Sequence, residues 1–254
     1  AVEFFMREYY RHSRTIARIT ADCIDALDRG KNVGVLLGQT PLKPDGAKLD
    51  MPLRLPTLRK QPLVVFERQK ASGQKLERAL RRRLEHVVQD ELGAASVVDR
   101  MRRAFPLLLD DDRNVDLVVR SLHETRFLMK IIPEYDQLTC LKRYDLYHHY
   151  TVDEHSFKVL ENLVALGRPD APADDPLVRL YSELPDKRVL FLAALLHDIG
   201  KIEGRGHAKK GAALSRTILK RMAIPQHEID IVSALIENHL VMSHFSQRRD
   251  PTDI

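Results

Sequence analysis

The stretch Asp186-Lys-Arg-Val-Leu-Phe-Leu-Ala-Ala-Leu-Leu-His-Asp-Ile-Gly-Lys201 decides the fold prediction. Its apolar run, Val189–Leu196, is followed at once by two strongly polar residues, His197 and Asp198. A segment this apolar is expected to form the most buried helix of the chain, ending at Gly200. Polar groups at the buried end of such a helix are costly unless they are hydrogen-bonded, paired or bound to metal. The stretch therefore indicates a helical core and a candidate site together.

Helical periodicity recurs on both sides of this stretch, and glycine or proline residues end most of the patterns. Thr151 and Glu154 have the spacing of a capping box, which predicts a helix that starts at Thr151. An acidic triplet, Asp110 to Asp112, is interpreted as a surface loop that supplies helix caps. The predicted helices cover residues 1–30, 75–92, 96–108, 115–132, 151–166, 186–199, 207–223 and 225–240.

One region departs from helical periodicity. Five of the thirteen prolines lie between Pro41 and Pro62, and Pro44-Asp-Gly46 is typical of a turn. The apolar segments on either side of this turn, Val33–Gln39 and Lys48–Leu55, predict a single β-hairpin within residues 33–55.

The predicted fold class is therefore all-α, or mainly α, with two parts. Residues 1–132 are expected to form a helical linker or scaffold region that contains the hairpin. Residues 133–254 are expected to form a compact helical bundle, and this part contains the candidate site.

Composition limits the possible functions. The 44% hydrophobic content is enough for a real core, and no apolar run is long enough to cross a membrane. The net charge of +5 suits an anionic or phosphorylated substrate but falls short of a nucleic-acid-binding surface. Cys23 and Cys140 are too few for a disulfide framework or a zinc knuckle. We expect a cytoplasmic protein without membrane or nucleic-acid partners.

An ordered set of motifs in the second half of the chain resembles the HD superfamily of metal-dependent phosphohydrolases. The resemblance implies that the bundle at 133–254 is an HD domain. The motifs are His155, Leu-Leu-His197-Asp198-Ile-Gly-Lys201, Gly-His207-Ala-Lys-Lys-Gly-Ala, Glu-Asn-His239-Leu and Arg-Arg-Asp250.

Two longer strings resemble one branch of that superfamily. They are Tyr144-Asp-Leu-Tyr-His-His-Tyr-Thr-Val-Asp-Glu-His155 and His239-Leu-Val-Met-Ser-His-Phe-Ser-Gln-Arg-Arg-Asp250. They are similar to the bifunctional uridylyltransferase/uridylyl-removing enzymes of the nitrogen signal protein PII, closely from about Pro133 onward and more loosely before it. The resemblance implies a phosphodiesterase that releases UMP from a uridylylated PII-type protein.

Ligand chemistry and the resemblance together imply a divalent metal site, because histidine nitrogens and carboxylate oxygens bind Mn, Fe, Co, Zn or Mg. Asn238 beside His239 favours one metal over two. The implied metal ligands are His155, His197, Asp198 and Asp250, with Asp253 as the reserve for Asp250. The implied catalytic residues are Asp198, Lys201 and His207, the last two in contact with a substrate phosphate. His239 is equally compatible with a functional and a structural role, and His148, His149, His227 and His244 are predicted to be structural or surface residues.

Two other functions fit the sequence. The site can belong to a hydrolase of free nucleotides or cyclic dinucleotides, or the chain can be a non-catalytic helical coupling module of a larger enzyme. The chain also lacks a Gly-Ser motif followed by paired aspartates, which the resemblance would require for nucleotidyl transfer. We therefore expect a central fragment or shortened relative that removes uridylyl groups, does not add them, and does not respond to glutamine.

Overall fold

A computed structural model describes residues 2–29, 48–52, 54–142 and 150–241, without the side chains of residues 2 and 22–29. Helices make up nearly all of the regular structure in these ranges, which confirms the predicted all-α class. The α-helices are α1 (Val2–Arg29), α2 (Leu55–Lys60), α3 (Val64–Ser72), α4 (Arg78–Asp90), α5 (Ala95–Ala104), α6 (Val115–Glu124), α7 (Phe127–Ile131), α8 (Tyr135–Leu138), α9 (Val152–Leu166), α10 (Pro176–Glu183), α11 (Lys187–Leu196), α12 (His207–Arg221) and α13 (Gln226–Asn238), and 3₁₀ helices cover Phe105–Leu109 and Ile199–Glu203.

The predicted hairpin is not found in the described part of the chain. Most of its length, residues 33–47 and 53, lies outside the described residues. In the second arm, Leu49 forms an isolated parallel bridge with Leu76, and Leu55 already begins α2. Pro56 in the first turn of α2 accounts for this end of the arm, since proline cannot donate to a β-ladder but suits a helix start.

The core is one continuous apolar cluster that contains residues from α2 through α13. Helix α11 is its most buried segment, because every residue from Phe191 to Leu196 is buried. It packs against α9 and α13, and α13 packs against α12. This arrangement brings one end of α11 between the helices that carry the other candidate site residues.

Two predicted helices are interrupted. Pro106 lies at the start of the 3₁₀ helix Phe105–Leu109, so the predicted helix 96–108 is α-helical only through Ala104. Arg126 has a positive φ of 69°, which separates α6 from α7 within the predicted helix 115–132. The chain still packs on the core after both interruptions, because Leu108 and Leu109 are buried after Pro106, and Phe127 and Leu128 are buried after Arg126.

The capping box predicted at the start of α9 is wrong, although the helix begins where expected. Thr151 is the N-cap residue, but its side chain makes no capping hydrogen bond. Glu154 instead pairs with Arg120 of α6, at 2.8 Å between Arg120 Nη2 and Glu154 Oε1. A half-buried ion pair with Arg120 therefore holds this glutamate away from its own helix terminus.

Helix α1 attaches to the rest of the molecule through arginines. Arg7 donates to the carbonyl oxygens of Asp136 and Thr139, and Arg14 pairs with Asp153. None of the described α1 side chains is buried, and Phe5 is 67% exposed. The apolar side chains of Phe5, Tyr9, Ile16 and Ile19 are therefore exposed and do not pack on the core.

The acidic triplet forms a surface loop, as predicted, but it does not cap the following helix, because the N-cap residue of α6 is Asn114 and no side chain caps it. The triplet instead connects neighbouring elements. Asp110 pairs with Arg188 at 3.0 Å, Asp111 with Lys70 at 3.3 Å, and Tyr181 Oη donates to Asp112 at 3.4 Å. The predicted domain boundary at residues 132 and 133 stays a prediction. Among the described helices, none is both long enough and apolar enough to span a membrane.

Candidate metal centre

Four helices and one 3₁₀ helix deliver polar side chains to a single point. His155 lies in the first turn of α9, and His197 directly follows α11. Asp198 precedes the 3₁₀ helix, His207 opens α12, and His239 follows α13. Four of the five lie at or beyond a helix end, where the backbone can turn a side chain inward.

The carboxylate of Asp198 is the centre of this cluster and is only 2% exposed. Its Oδ2 atom lies 2.8 Å from Lys201 Nζ, 3.2 Å from His197 Nε2 and 4.0 Å from His155 Nε2. Its Oδ1 atom faces the other side of the cluster, 3.6 Å from His207 Nε2 and 3.9 Å from His239 Nε2. All four histidines thus turn the same ring nitrogen toward one carboxylate.

These atoms form two groups with metal-ligand spacing that share Asp198. One comprises His155, His197 and Asp198, and the other comprises Asp198, His207 and His239. In each group the ligand atoms lie within 4.8 Å of one another. The second group has the spacing to hold a second metal ion, which differs from the expectation of a single metal that rested on Asn238. Asn238 itself donates to the Ala234 carbonyl oxygen on the exposed side of α13.

Backbone hydrogen bonds orient two of the imidazole rings. His197 Nδ1 lies 2.8 Å from the Ala194 carbonyl oxygen, and His239 Nδ1 lies 2.7 Å from the Ile236 carbonyl oxygen. A carbonyl oxygen can only accept, so Nδ1 of each ring carries a proton and Nε2 is turned toward Asp198. Metal-binding histidines are oriented in this way by their second ring nitrogen.

Electrostatics keep the central carboxylate ionised. Burial alone raises the pKa of Asp198, but His197 and Lys201 outweigh burial and hold the pKa well below its usual range. The carboxylate is therefore negatively charged across the physiological pH range, which is the state that binds a cation.

The histidines on the other side of the cluster are held neutral. Burial lowers the pKa of His207, and the charge of Asp198 only partly opposes this shift. Burial also lowers the pKa of His239. The buried His207 Nε2 has no hydrogen-bond partner among the described residues. An ionised carboxylate, neutral imidazoles and an orphaned nitrogen are the donor set that a divalent cation requires, so the residues fit a metal ion.

A close backbone approach fixes the position of His207. A Cβ atom at Gly200 would collide with the His207 carbonyl oxygen and would lie 2.5 Å from Gly211 N. Only glycine lets the 3₁₀ helix carrying Lys201 lie this close to α12. Helix α11 ends at Leu196, three residues earlier than predicted, and Gly200 lies within the 3₁₀ helix, where it lets α12 approach the site.

The structure brings together five residues singled out in the sequence, His155, His197, Asp198, Lys201 and His207, and their roles stay predictions. His239, which was left between two roles, joins them. Asp250, Asp253, His148, His149 and His244 lie outside the described residues. His227 is an exposed side chain on α13, in agreement with a surface role.

Asp153 and His123 were not among the site residues predicted from the sequence. Asp153 is fully buried behind the site and pairs with Arg14, and His123 Nε2 lies 3.5 Å from its Oδ2. An aspartate in the first turn of a helix is typical of an exposed residue that interacts with the helix dipole. Nothing local in the sequence indicates that distant elements bury this one.

Comparison with known proteins agrees with the site geometry. Residues 152–252 match the HD domain family model. A bifunctional uridylyltransferase/uridylyl-removing enzyme of Cereibacter sphaeroides is 27% identical over 268 residues, which cover 99% of this chain and 28% of the relative. The enzyme of the same name from Phenylobacterium zucineum is 29% identical over 272 residues, covering 100% of this chain and 29% of the relative.

The corresponding Caulobacter vibrioides enzyme is 34% identical over 152 residues, covering 59% of this chain and 16% of the relative. The chain thus spans less than a third of the length of the relatives it matches. Residues 152–252 are similar to the HD domain family, and along its length the chain is similar to a segment of the bifunctional uridylyltransferase/uridylyl-removing enzymes.

Proposed function

We propose that this chain is a metal-dependent phosphohydrolase that removes uridylyl groups from a PII-type signal protein and releases UMP. The observation that carries the proposal is the convergence of four histidine Nε2 atoms on the buried carboxylate of Asp198. The names of the relatives support uridylyl removal, and the resemblance of the strings around His155 and His239 supports PII as the substrate.

In this proposal His155, His197 and Asp198 hold a divalent ion, with Asp250 as a further ligand. When bound, such an ion polarises a phosphoryl oxygen and lowers the pKa of a coordinated water. In the overall reaction, a water oxygen bonds to phosphorus while the bond from phosphorus to the tyrosine oxygen breaks. The leaving oxygen takes up a proton, and UMP and an unmodified tyrosine result.

Lys201 is proposed to contact a phosphate oxygen of the substrate. Lys201 is 6% exposed, and its Nζ atom lies 2.8 Å from Asp198 Oδ2. A cation held this close to the site stabilises negative charge that develops on the phosphoryl group. Removal of such a donor slows catalysis roughly a hundredfold or more while the metal is retained.

His207 is proposed to contact the same phosphate, and the second ligand group gives it an alternative role as a metal ligand with His239. Metal content distinguishes the two roles. A His207→Ala protein that keeps its full metal content but turns over slowly supports phosphate contact. A protein that loses metal supports ligation.

The test is to incubate uridylylated PII with the purified chain and Mn²⁺ and to measure UMP by chromatography. Asp198→Asn is the inactive control. We expect UMP release by the native chain alone. Turnover of free nucleotides or cyclic dinucleotides without release of UMP from PII would favour the alternative hydrolase. Bound metal without turnover of either substrate would favour a non-catalytic coupling module.

A further inference from the structure

Three consecutive residues in the first turn of α9 connect to three different parts of the molecule. Asp153 reaches α1, Glu154 reaches Arg120 of α6, and His155 reaches the cluster at Asp198. Successive side chains on a helix point about 100° apart, so one short turn can bind all three partners. The turn that carries a candidate metal ligand is therefore held from outside the site.

The link to α1 ends on a fully buried carboxylate. Asp153 is 0% exposed, and its Oδ2 accepts a hydrogen bond from Arg14 Nη1 at 2.7 Å. This ion pair joins residues 139 positions apart in the chain. A hydrogen bond between charged partners at this distance is among the stronger polar contacts in proteins.

Arg14 supplies the positive charge at this carboxylate. His123 Nε2 also lies close to it, at 3.5 Å, but burial lowers the pKa of His123 to about 4. The imidazole is therefore neutral near pH 7. Without Arg14, the buried Asp153 would keep a neutral neighbour and lose the cation that offsets its burial.

The backbone couples Asp153 to the site. The N–H group of His155 donates to the Thr151 carbonyl oxygen at 2.8 Å, which closes the turn that contains Asp153. A shift of the buried carboxylate toward water would therefore move His155 with it. We propose that Arg14 is a positioning residue for the metal ligand His155, acting through Asp153; this inference rests on the metal site of the proposed function.

The expected effect is a loss of metal affinity. Residues that orient a metal ligand from outside the site typically contribute tenfold to a hundredfold to affinity, so Arg14→Met should weaken metal binding about tenfold. Arg14→Lys keeps the charge and should recover part of the loss.

The measurement is a Co²⁺ titration of the full 254-residue chain, followed by the visible absorption of the bound ion. Arg18→Met is the matched control, because Arg18 lies one turn further along α1 and pairs with Glu85 outside the site at 2.7 Å. We expect native Co²⁺ affinity in Arg18→Met and an altered spectrum with weaker binding in Arg14→Met. Equal affinity in the two variants overturns the inference.

A double variant distinguishes a loss of His155 positioning from a loss of folding stability. Arg14→Met leaves a buried charge that can unfold the protein, whereas adding Asp153→Asn removes that charge. We expect the double variant to regain the native melting temperature while Co²⁺ binding stays weak, because the link to α1 is still absent. Recovery of both stability and affinity overturns positioning by Arg14. A native chain that binds no Co²⁺ overturns the proposed function itself, and the inference with it.

Discussion

At the residue scale, the site depends on Asp198, because one buried carboxylate serves both possible ligand groups. Asp198→Asn keeps the shape of the side chain but removes its charge. We expect Co²⁺ or Mn²⁺ binding and hydrolysis to be lost, because the cation loses its anionic ligand and the Lewis-acid contribution disappears. Elemental analysis after dialysis measures this. Asp230→Asn, which alters an exposed partner of Arg216, is the control. Full metal content in Asp198→Asn would refute the proposed centre.

His123 supplies a second prediction at this scale, on stability. Its folded-state pKa of about 4 is below the usual 6.5, because burial outweighs the charge of Asp153, and Arg14 and Arg126 lower the pKa further. As the pH falls from about 6.5 to 4, His123 binds a proton in the unfolded chain but not in the folded chain. Folding stability should therefore fall in this window, by an amount on the order of 1–3 kcal/mol.

Urea denaturation at pH 7 and pH 5 measures this loss. His123→Gln should be less stable at pH 7, where it gives up buried contacts, but its stability should change less between the two pH values. His86, an exposed histidine paired with Asp90, is the control position. If His86→Gln and His123→Gln respond to pH alike, His123 is not the titrating group.

The candidate site was largely predictable at the residue scale, because His155, His197, Asp198, Lys201 and His207 stand in recognisable motifs. His239 was less clear, since a histidine after an amphipathic helix is often structural. Asp153 could not be found this way, because its ion-pair partner is Arg14, a residue 139 positions away. Local sequence carries no signal for such a contact.

At the scale of elements, the approach of the 3₁₀ helix Ile199–Glu203 to α12 limits what the site tolerates. Gly200→Ala inserts a methyl group against the His207 carbonyl oxygen and Gly211. The two helices must separate, at a cost of about 1–3 kcal/mol for overpacking, and His207 must move from Asp198. Thermal denaturation and Co²⁺ titration should both report the change.

Gly93→Ala is the matched control for this substitution, because a Cβ atom there would meet nothing within 4 Å. We expect its melting temperature and metal affinity to remain near the native values. Native behaviour of Gly200→Ala as well would mean that the close approach is not required.

Most helices were predictable as elements, because their apolar periodicity is set by contact with the core. The interruptions were not, since Arg126 adopts its positive φ within a run of otherwise regular periodicity. The capping box failed for a related reason: Glu154 has a stronger partner in Arg120 than in its own helix terminus. At Glu154 a tertiary contact overrides a local preference.

At the scale of the whole molecule, two kinds of attachment coexist. Helices α2 to α13 contribute to one apolar core, whereas the described part of α1 is joined by Arg7, Arg14 and Arg18. The sequence of α1 indicates an amphipathic helix, but it does not show which face contacts the rest of the molecule. Arginine and apolar side chains recur with the same helical period, so either set can form the contact face.

This difference predicts the order in which the helices open. Amide protection follows burial, so α1, with no buried side chain among residues 3–21, should exchange its amide hydrogens fastest of the long helices. Helix α11, with Phe191 to Leu196 all buried, should exchange only on global unfolding. Hydrogen exchange with mass spectrometry, at micromolar concentration and neutral pH, measures both. Arg14→Met should speed exchange in α1 and in the first turn of α9 together, while α11 is unchanged. Protection of α1 equal to that of α11 would mean that its apolar face is covered in solution, and the arginine-mediated attachment would then be the wrong description of this helix.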